Sequence, residues 1–84
     1  MPVVPLSQRF GEVVRTKRLQ AGLSQEHLAE QAELHSTYIG LIERGLRNPT
    51  LDTAARIARA LNASLSELIT TSEKGVPQRK GKQK

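Results

Sequence analysis

Residues 23–45 read LSQEHLAEQAELHSTYIGLIERG, and their spacing decides the fold. Ser24 stands directly before an apolar-periodic stretch, where its hydroxyl can accept from the free amides of a first helical turn. The helix it opens runs from Gln25 to about Ala32 and buries Leu28, Ala29 and Ala32. A turn at Glu33 and Leu34 follows, then a helix from about Ser36 to Arg44, closed by Gly45. The pattern predicts two short helices joined by a tight turn, the second apolar on one side only.

Successive helical residues rotate by about 100°, which sorts that second helix into faces. With Ser36 at zero, Gly40, Arg44, Thr37 and Leu41 span an arc of about 40° to 140°, whereas Ile39 and Ile42 fall near 300° and 240°. Tyr38 lies at a flank, within reach of a phosphate. The polar arc suits a DNA major groove: Ser and Thr hydroxyls bond base edges, and an apolar Leu touches a thymine methyl. Gly40 is expected to remove bulk where backbone comes close, which offsets the cost of about 1 kcal/mol for a mid-helix glycine. An ordinary solvated helix face fits the same residues, and the paired-helix context favours the groove.

Outward from this pair, Met1 to Leu6, with Pro2 and Pro5, reads as a flexible N-terminal arm. Ser7 is the expected cap of a first helix reaching about Gln20, its stripe formed by Leu6, Phe10, Val13 and Val14, with Gly22 beyond its end. After the loop Leu46 to Pro49, Thr50 caps a fourth helix with a stripe of Leu51, Ala54, Ala55, Ala58 and Leu61. Asn62 stops it. Ser64 to Glu67 reads as a capping box opening a short fifth helix with Leu65, Leu68 and Ile69 inward. From residue 71 the chain turns to Ser, Gly, Pro, Gln, Lys and Arg and reads as a disordered basic tail, residues 71–84. The domain is thus expected over residues 7–70, all-α, with five helices.

A chain of 84 residues makes one domain at most. It contains no Cys, which removes disulfides, thiolate metal sites and cysteine nucleophiles together. No apolar run approaches the roughly 18 residues of a membrane span, and MPVVPLSQRF has no secretory-leader pattern. A soluble cytoplasmic protein is the expectation. The net charge of +5 is unevenly placed. Met1 to Ser72 hold eight basic and seven acidic side chains, so most of the excess lies in the tail. Placement of charge, rather than bulk basicity, has to support nucleic-acid binding.

At these residues the chain resembles the lambda-repressor-like helix-turn-helix family, the Cro and repressor type of regulator. The resemblance covers Phe10 to Ile69. It rests on Arg18 … Gly22-Leu23-Ser24-Gln25, Leu28-Ala29, Ile39 … Ile42-Glu43-Arg44-Gly45, Asn48-Pro49-Thr50-Leu51, Ile57-Ala58 … Ala60-Leu61 and Leu65 … Leu68. HSTYIGLIERGLRNPTL looks most like the small controllers of restriction-modification operons, while phage-type repressors and antitoxins share the fold. The resemblance implies that Gln25 touches the DNA backbone and braces the third helix. It places Ser36, Thr37, Gly40 and Leu41 at the variable reading positions, and makes Arg18 and Glu43 an ion pair tying the first helix to the third. One departure stands out: Glu33 occupies the turn position where the family usually has Gly.

Arg44 and Arg47 are read as phosphate or guanine contacts for at least one of the two, and Asn48 fits either a turn or a phosphate contact. His27 and His35 lie on different helices without ligand spacing, so no metal or other cofactor is implied. No Ser-His-acid set, paired carboxylates or phosphate-cradling glycine loop suggests an enzyme. The tail fits both electrostatic DNA contact and a solubilising end. The expected function is therefore operator-specific transcription regulation by a homodimer, with Leu61, Leu65, Leu68 and Ile69 at the dimer interface. RNA polymerase or a cognate protein is a further candidate partner; neither a membrane nor a small-molecule ligand is expected. The competing class is a protein-binding module such as an antitoxin, with DNA affinity secondary.

Overall fold

Pro5 starts the first helix. Its φ of −59° is already helical and it has no N–H to leave unpaired, while its carbonyl oxygen accepts from the amides of Gln8 and Arg9. The helix therefore begins at Leu6, and the expected cap at Ser7 lies inside the first turn without a capping hydrogen bond. The computed structural model describes residues 4–75, and among them the elements are α1 (Leu6–Gln20), α2 (Gln25–Ala32), α3 (Ser36–Glu43), α4 (Leu51–Ala60) and α5 (Leu65–Lys74), with no strand. The all-α, five-helix expectation holds. Half of the expected arm (residues 1–3) and most of the expected tail (residues 76–84) lie outside the described residues.

Three of the helices open on hydroxyl caps. Ser24, Thr50 and Ser64 accept from the amides of His27, Thr53 and Glu67, each at 3.0 Å. Only half of the expected capping box forms at Ser64, because the Glu67 carboxylate reaches across to Lys17 of α1 at 3.3 Å instead.

The first four helices end alike. At each C-terminus one amide reaches back five residues: Leu23 to Arg18, Leu34 to Ala29, Leu46 to Leu41 and Ala63 to Ala58. The residue before that amide is Gly22, Glu33, Gly45 or Asn62, and all four have positive φ. Glu33 (φ 61°, ψ 47°) thus takes the left-handed conformation that its glycine counterparts supply freely, at a cost of about 1 kcal/mol.

Helix α1 packs on α3 and α5, α2 packs on α3 and α4, and α4 also meets α5. The core between them holds Phe10, Val13, Val14, Leu28, Ala29, Ala32, Ile39, Ile42, Ala54, Ile57, Ala58 and Leu68. One expected stripe is rotated. Leu51 is 78% exposed and Ile57 fully buried, so α4 faces the core through Ala54, Ile57 and Ala58. On α1 the expected stripe is buried at Phe10, Val13 and Val14, and only Leu6 at its start is exposed. Helix α5 also runs four residues past the expected boundary. Its polar end is accommodated because the buried Ser72 hydroxyl donates to the Leu68 carbonyl at 2.6 Å, and Arg9 of α1 donates to the Glu73 carbonyl at 3.1 Å.

Gly11 sets how closely α1 approaches α3. It is buried, and a Cβ there would overlap the Ile42 carbonyl oxygen and lie 3.1 Å from the Glu43 carbonyl carbon. Both obstacles are backbone, so a side chain can be admitted only by moving a helix. Gly11→Ala should therefore destabilise the fold by about 1–3 kcal/mol, although alanine is the better helix former. Urea unfolding measures it, and an unchanged or raised midpoint would show that the helices can part without cost.

Candidate nucleic-acid interface

The third helix is held by one buried polar network. Arg18 Nε donates to Glu43 Oε2 at 2.7 Å, and Nη2 donates to Glu43 Oε1 at 3.1 Å. This is the side-on fork that a guanidinium makes with a carboxylate. The remaining Nη1 donates to the Leu23 carbonyl at 2.8 Å, and Gln25 Nε2 donates to Glu43 Oε1 at 3.0 Å. The two charged side chains are 9% and 1% exposed. The structure therefore brings Arg18, Gln25 and Glu43 together, from α1, the start of α2 and the end of α3.

That network narrows the exposed face of α3 relative to the sequence expectation. The Gln25 amide lies over Gly40, where a Cβ would stand 3.5 Å from Gln25 Oε1. Gly40 is consequently buried under α2 and does not belong to the open arc, a correction to its expected reading position. The arc narrows to Thr37 and Arg44, both exposed, with Ser36 and Leu41 half-buried at its edges. The omission in the helical wheel was α2 itself: 100° periodicity places residues around an axis but does not say which side a neighbouring helix covers.

At the flank, Tyr38 packs against the core and the Arg47 guanidinium sits 5.5 Å from its ring centroid, a cation–π distance. Arg44 folds back, its Nε donating to the Gly40 carbonyl at 3.2 Å. Asn48 is exposed in the loop after α3. His27 and His35 are both exposed, His35 at the cap position of α3.

Two contributors to the site were missed in sequence. Gly11, which admits α1 against the end of α3, had a signal: a glycine inside an apolar helical stripe. Arg56 of α4 had none. Its Nε donates to the Ala32 carbonyl at 3.1 Å and its Nη2 to the Glu33 carbonyl at 2.7 Å, across more than twenty residues of chain.

Among the expected dimer residues the structure separates Leu68 from the rest. It is fully buried in the monomer core and cannot also face a partner. Leu65 and Ile69 are half-buried and line an apolar cleft of about 180 Å³ with Leu6, Phe10, Pro49 and Leu51; Leu61, half-buried against the core, does not line it.

Two short helices joined by the tight turn at Glu33, the second exposed on one face and braced by Gln25 of the first, make a helix-turn-helix unit, and residues 14–68 match the helix-turn-helix family. The chain belongs to that family, in its lambda-repressor-like, Cro and repressor branch of DNA-binding transcriptional regulators. Within it, the chain is similar to controller proteins. The control protein C.SmaI of Serratia marcescens is 48% identical over 65 residues, covering 77% of each chain. The restriction-modification controller C.AhdI of Aeromonas hydrophila shares the fold at a TM-score of 0.71 and 41% identity, over 73% of this chain and 92% of that one. C.Esp1396I, solved as a tetramer with its natural 35-base-pair operator, superposes at a TM-score of 0.77 with 32% identity, over 86% of this chain and 95% of its own.

Truncating either member of the buried pair leaves the other charge without its partner. Arg18→Ala and Glu43→Ala should each cost about 3 kcal/mol of unfolding free energy. Arg18→Lys should lose much of the same stability, because an ammonium cannot supply the fork. Unfolding midpoints within experimental scatter of the natural chain would show that the pair contributes nothing net.

Proposed function

We propose that the protein binds operator DNA as a homodimer, with α3 of each subunit in the major groove of a near-palindromic site, and regulates transcription in the cytoplasm. One observation carries this reading: the exposed Thr37–Arg44 face, with Ser36 and Leu41 at its edges, belongs to a short helix fixed from behind by Arg18, Gln25 and Glu43. A groove-reading surface needs side chains free to reach base edges on a backbone that does not shift. Thr37 and Ser36 supply hydroxyls, Leu41 an apolar contact for a thymine methyl, and Arg44 a guanidinium that can exchange its intrahelical bond for a guanine or phosphate. Tyr38, Arg47 and Asn48 flank the groove as backbone contacts, with Arg47 ordered by its position over the Tyr38 ring. At the start of α2 the free amides, next to Gln25, suit a phosphate. Gly40 is assigned no base contact.

The second copy is expected on the apolar cleft. Leu6 at 44% and Leu51 at 78% exposure flank the half-buried Leu65 and Ile69, a patch larger than scattered surface leucines. The proposed interface thus moves from the end of α4 to its start. One short reading helix covers few base pairs, and two-fold pairing would set two such helices about 34–36 Å apart. Support comes from C.Esp1396I, a relative that binds its operator as a tetramer.

Thr37→Ala should weaken binding to an operator selected from random DNA by about 1–3 kcal/mol, with little effect on a random duplex. Equal losses on both duplexes would remove Thr37 from base readout. Leu51→Glu should yield a folded monomer in sedimentation at tens of micromolar, since Leu51 is mostly exposed within one subunit. A dimer that survives the substitution would move the interface elsewhere.

A further inference from the structure

We infer that Arg56 is a positioning residue for the reading helix: from α4, its guanidinium clamps the carbonyls of Ala32 and Glu33 at the end of α2 and so fixes the turn between α2 and α3. The inference rests on the proposed role of α3 and adds a residue that lies on neither helix of the pair. Ala32 and Glu33 carry the carbonyls at the end of α2, where helical oxygens lack intrahelical partners. The charge at that end is adverse. The last turn of α2 has no basic residue, while Glu30 and Glu33 bring negative charge to the negative pole of the helix. Arg56 supplies the missing cation from outside, through two separate N–H groups on successive carbonyls.

The same clamp bears on backbone conformation. Glu33 is left-handed without being glycine, and Arg56 Nη2 bonds its carbonyl at 2.7 Å. Rotation of Glu33 toward an ordinary conformation would swing that carbonyl off the guanidinium and release the Leu34 amide from the Ala29 carbonyl, 2.8 Å away. Three residues later α3 begins, so a change at Glu33 alters the direction in which Thr37 and Arg44 point. The donor itself is anchored, because Arg56 precedes Ile57, which is fully buried in the core. Arg56 thereby ties the pitch of α3 to the body of the domain.

The test uses the full chain with Arg56→Ala and Arg56→Lys, each made alone and with Glu33→Gly. Two readouts are followed: amide exchange at Leu34, and titration of a selected operator against a random duplex at fixed salt. Arg56→Ala should speed Leu34 exchange relative to the Val14 amide and lower operator affinity, each about tenfold, with less than about twofold change on random DNA. Arg56→Lys should move both in the same direction, since an ammonium cannot hold two carbonyls as a fork does. Glu33→Gly, which needs no clamp to stay left-handed, should recover most of both losses. Parallel weakening on both duplexes would make Arg56 a phosphate contact and overturn the inference. So would unchanged Leu34 exchange, or losses that Glu33→Gly leaves undiminished. A natural chain that does not distinguish operator from random DNA would instead sink the reading of α3, and the exchange arm would still decide the clamp.

Discussion

The Glu43 carboxylate, almost wholly removed from water, is the constraint around which the other elements arrange themselves. An ionised carboxylate in such a place needs opposite charge and hydrogen bonds, and it receives both from two neighbouring helices. Arg18 supplies two N–H groups and Gln25 a third. Since these donors stand on α1 and α2 and the acceptor on α3, satisfying one carboxylate fixes the mutual placement of three helices. Gly11 makes the arrangement possible by letting α1 come to backbone contact with the end of α3. Apolar contacts alone would tolerate small rotations of so short a helix; a bidentate pair is far less forgiving.

Shortness is the second theme. Helices of eight residues, such as α2 and α3, are not stable alone in water, so their ends matter as much as their faces. Hydroxyl caps satisfy the amides at the start of α2, α4 and α5, and left-handed residues close α1 to α4 by a shared hydrogen-bond pattern. The result is a chain that reverses direction abruptly, and the turn before α3 delivers a helix whose outer side is unencumbered. Only at Glu33 is that turn made by a residue ill suited to it, and there a side chain from α4 meets the exposed carbonyls.

The two surfaces that remain open differ in chemistry. One is the Thr37–Arg44 face, polar and capable of directional bonding. The other is the apolar cleft among Leu6, Leu51, Leu65 and Ile69. Under the proposed function the first would meet bases and the second another copy of the chain, and they lie on separate helices.

Sequence alone determined the element list, because apolar spacing and punctuation by Ser24, Gly22, Gly45, Thr50 and Ser64 act locally and agree with one another. It also placed Ile39 and Ile42 inward, and the resemblance paired Arg18 with Glu43. Periodicity fixes a residue's angle about its own helix and nothing about the helix next to it. Tertiary packing therefore decided that Gly40 lies under Gln25, that Leu51 faces outward while Ile57 fills the core, and that Leu68 is spent within the monomer. The same limit hid Arg56, whose carbonyl partners lie more than twenty residues away on another helix, and the last turn of α5, where Arg9 of α1 bonds the Glu73 carbonyl across 64 residues of chain.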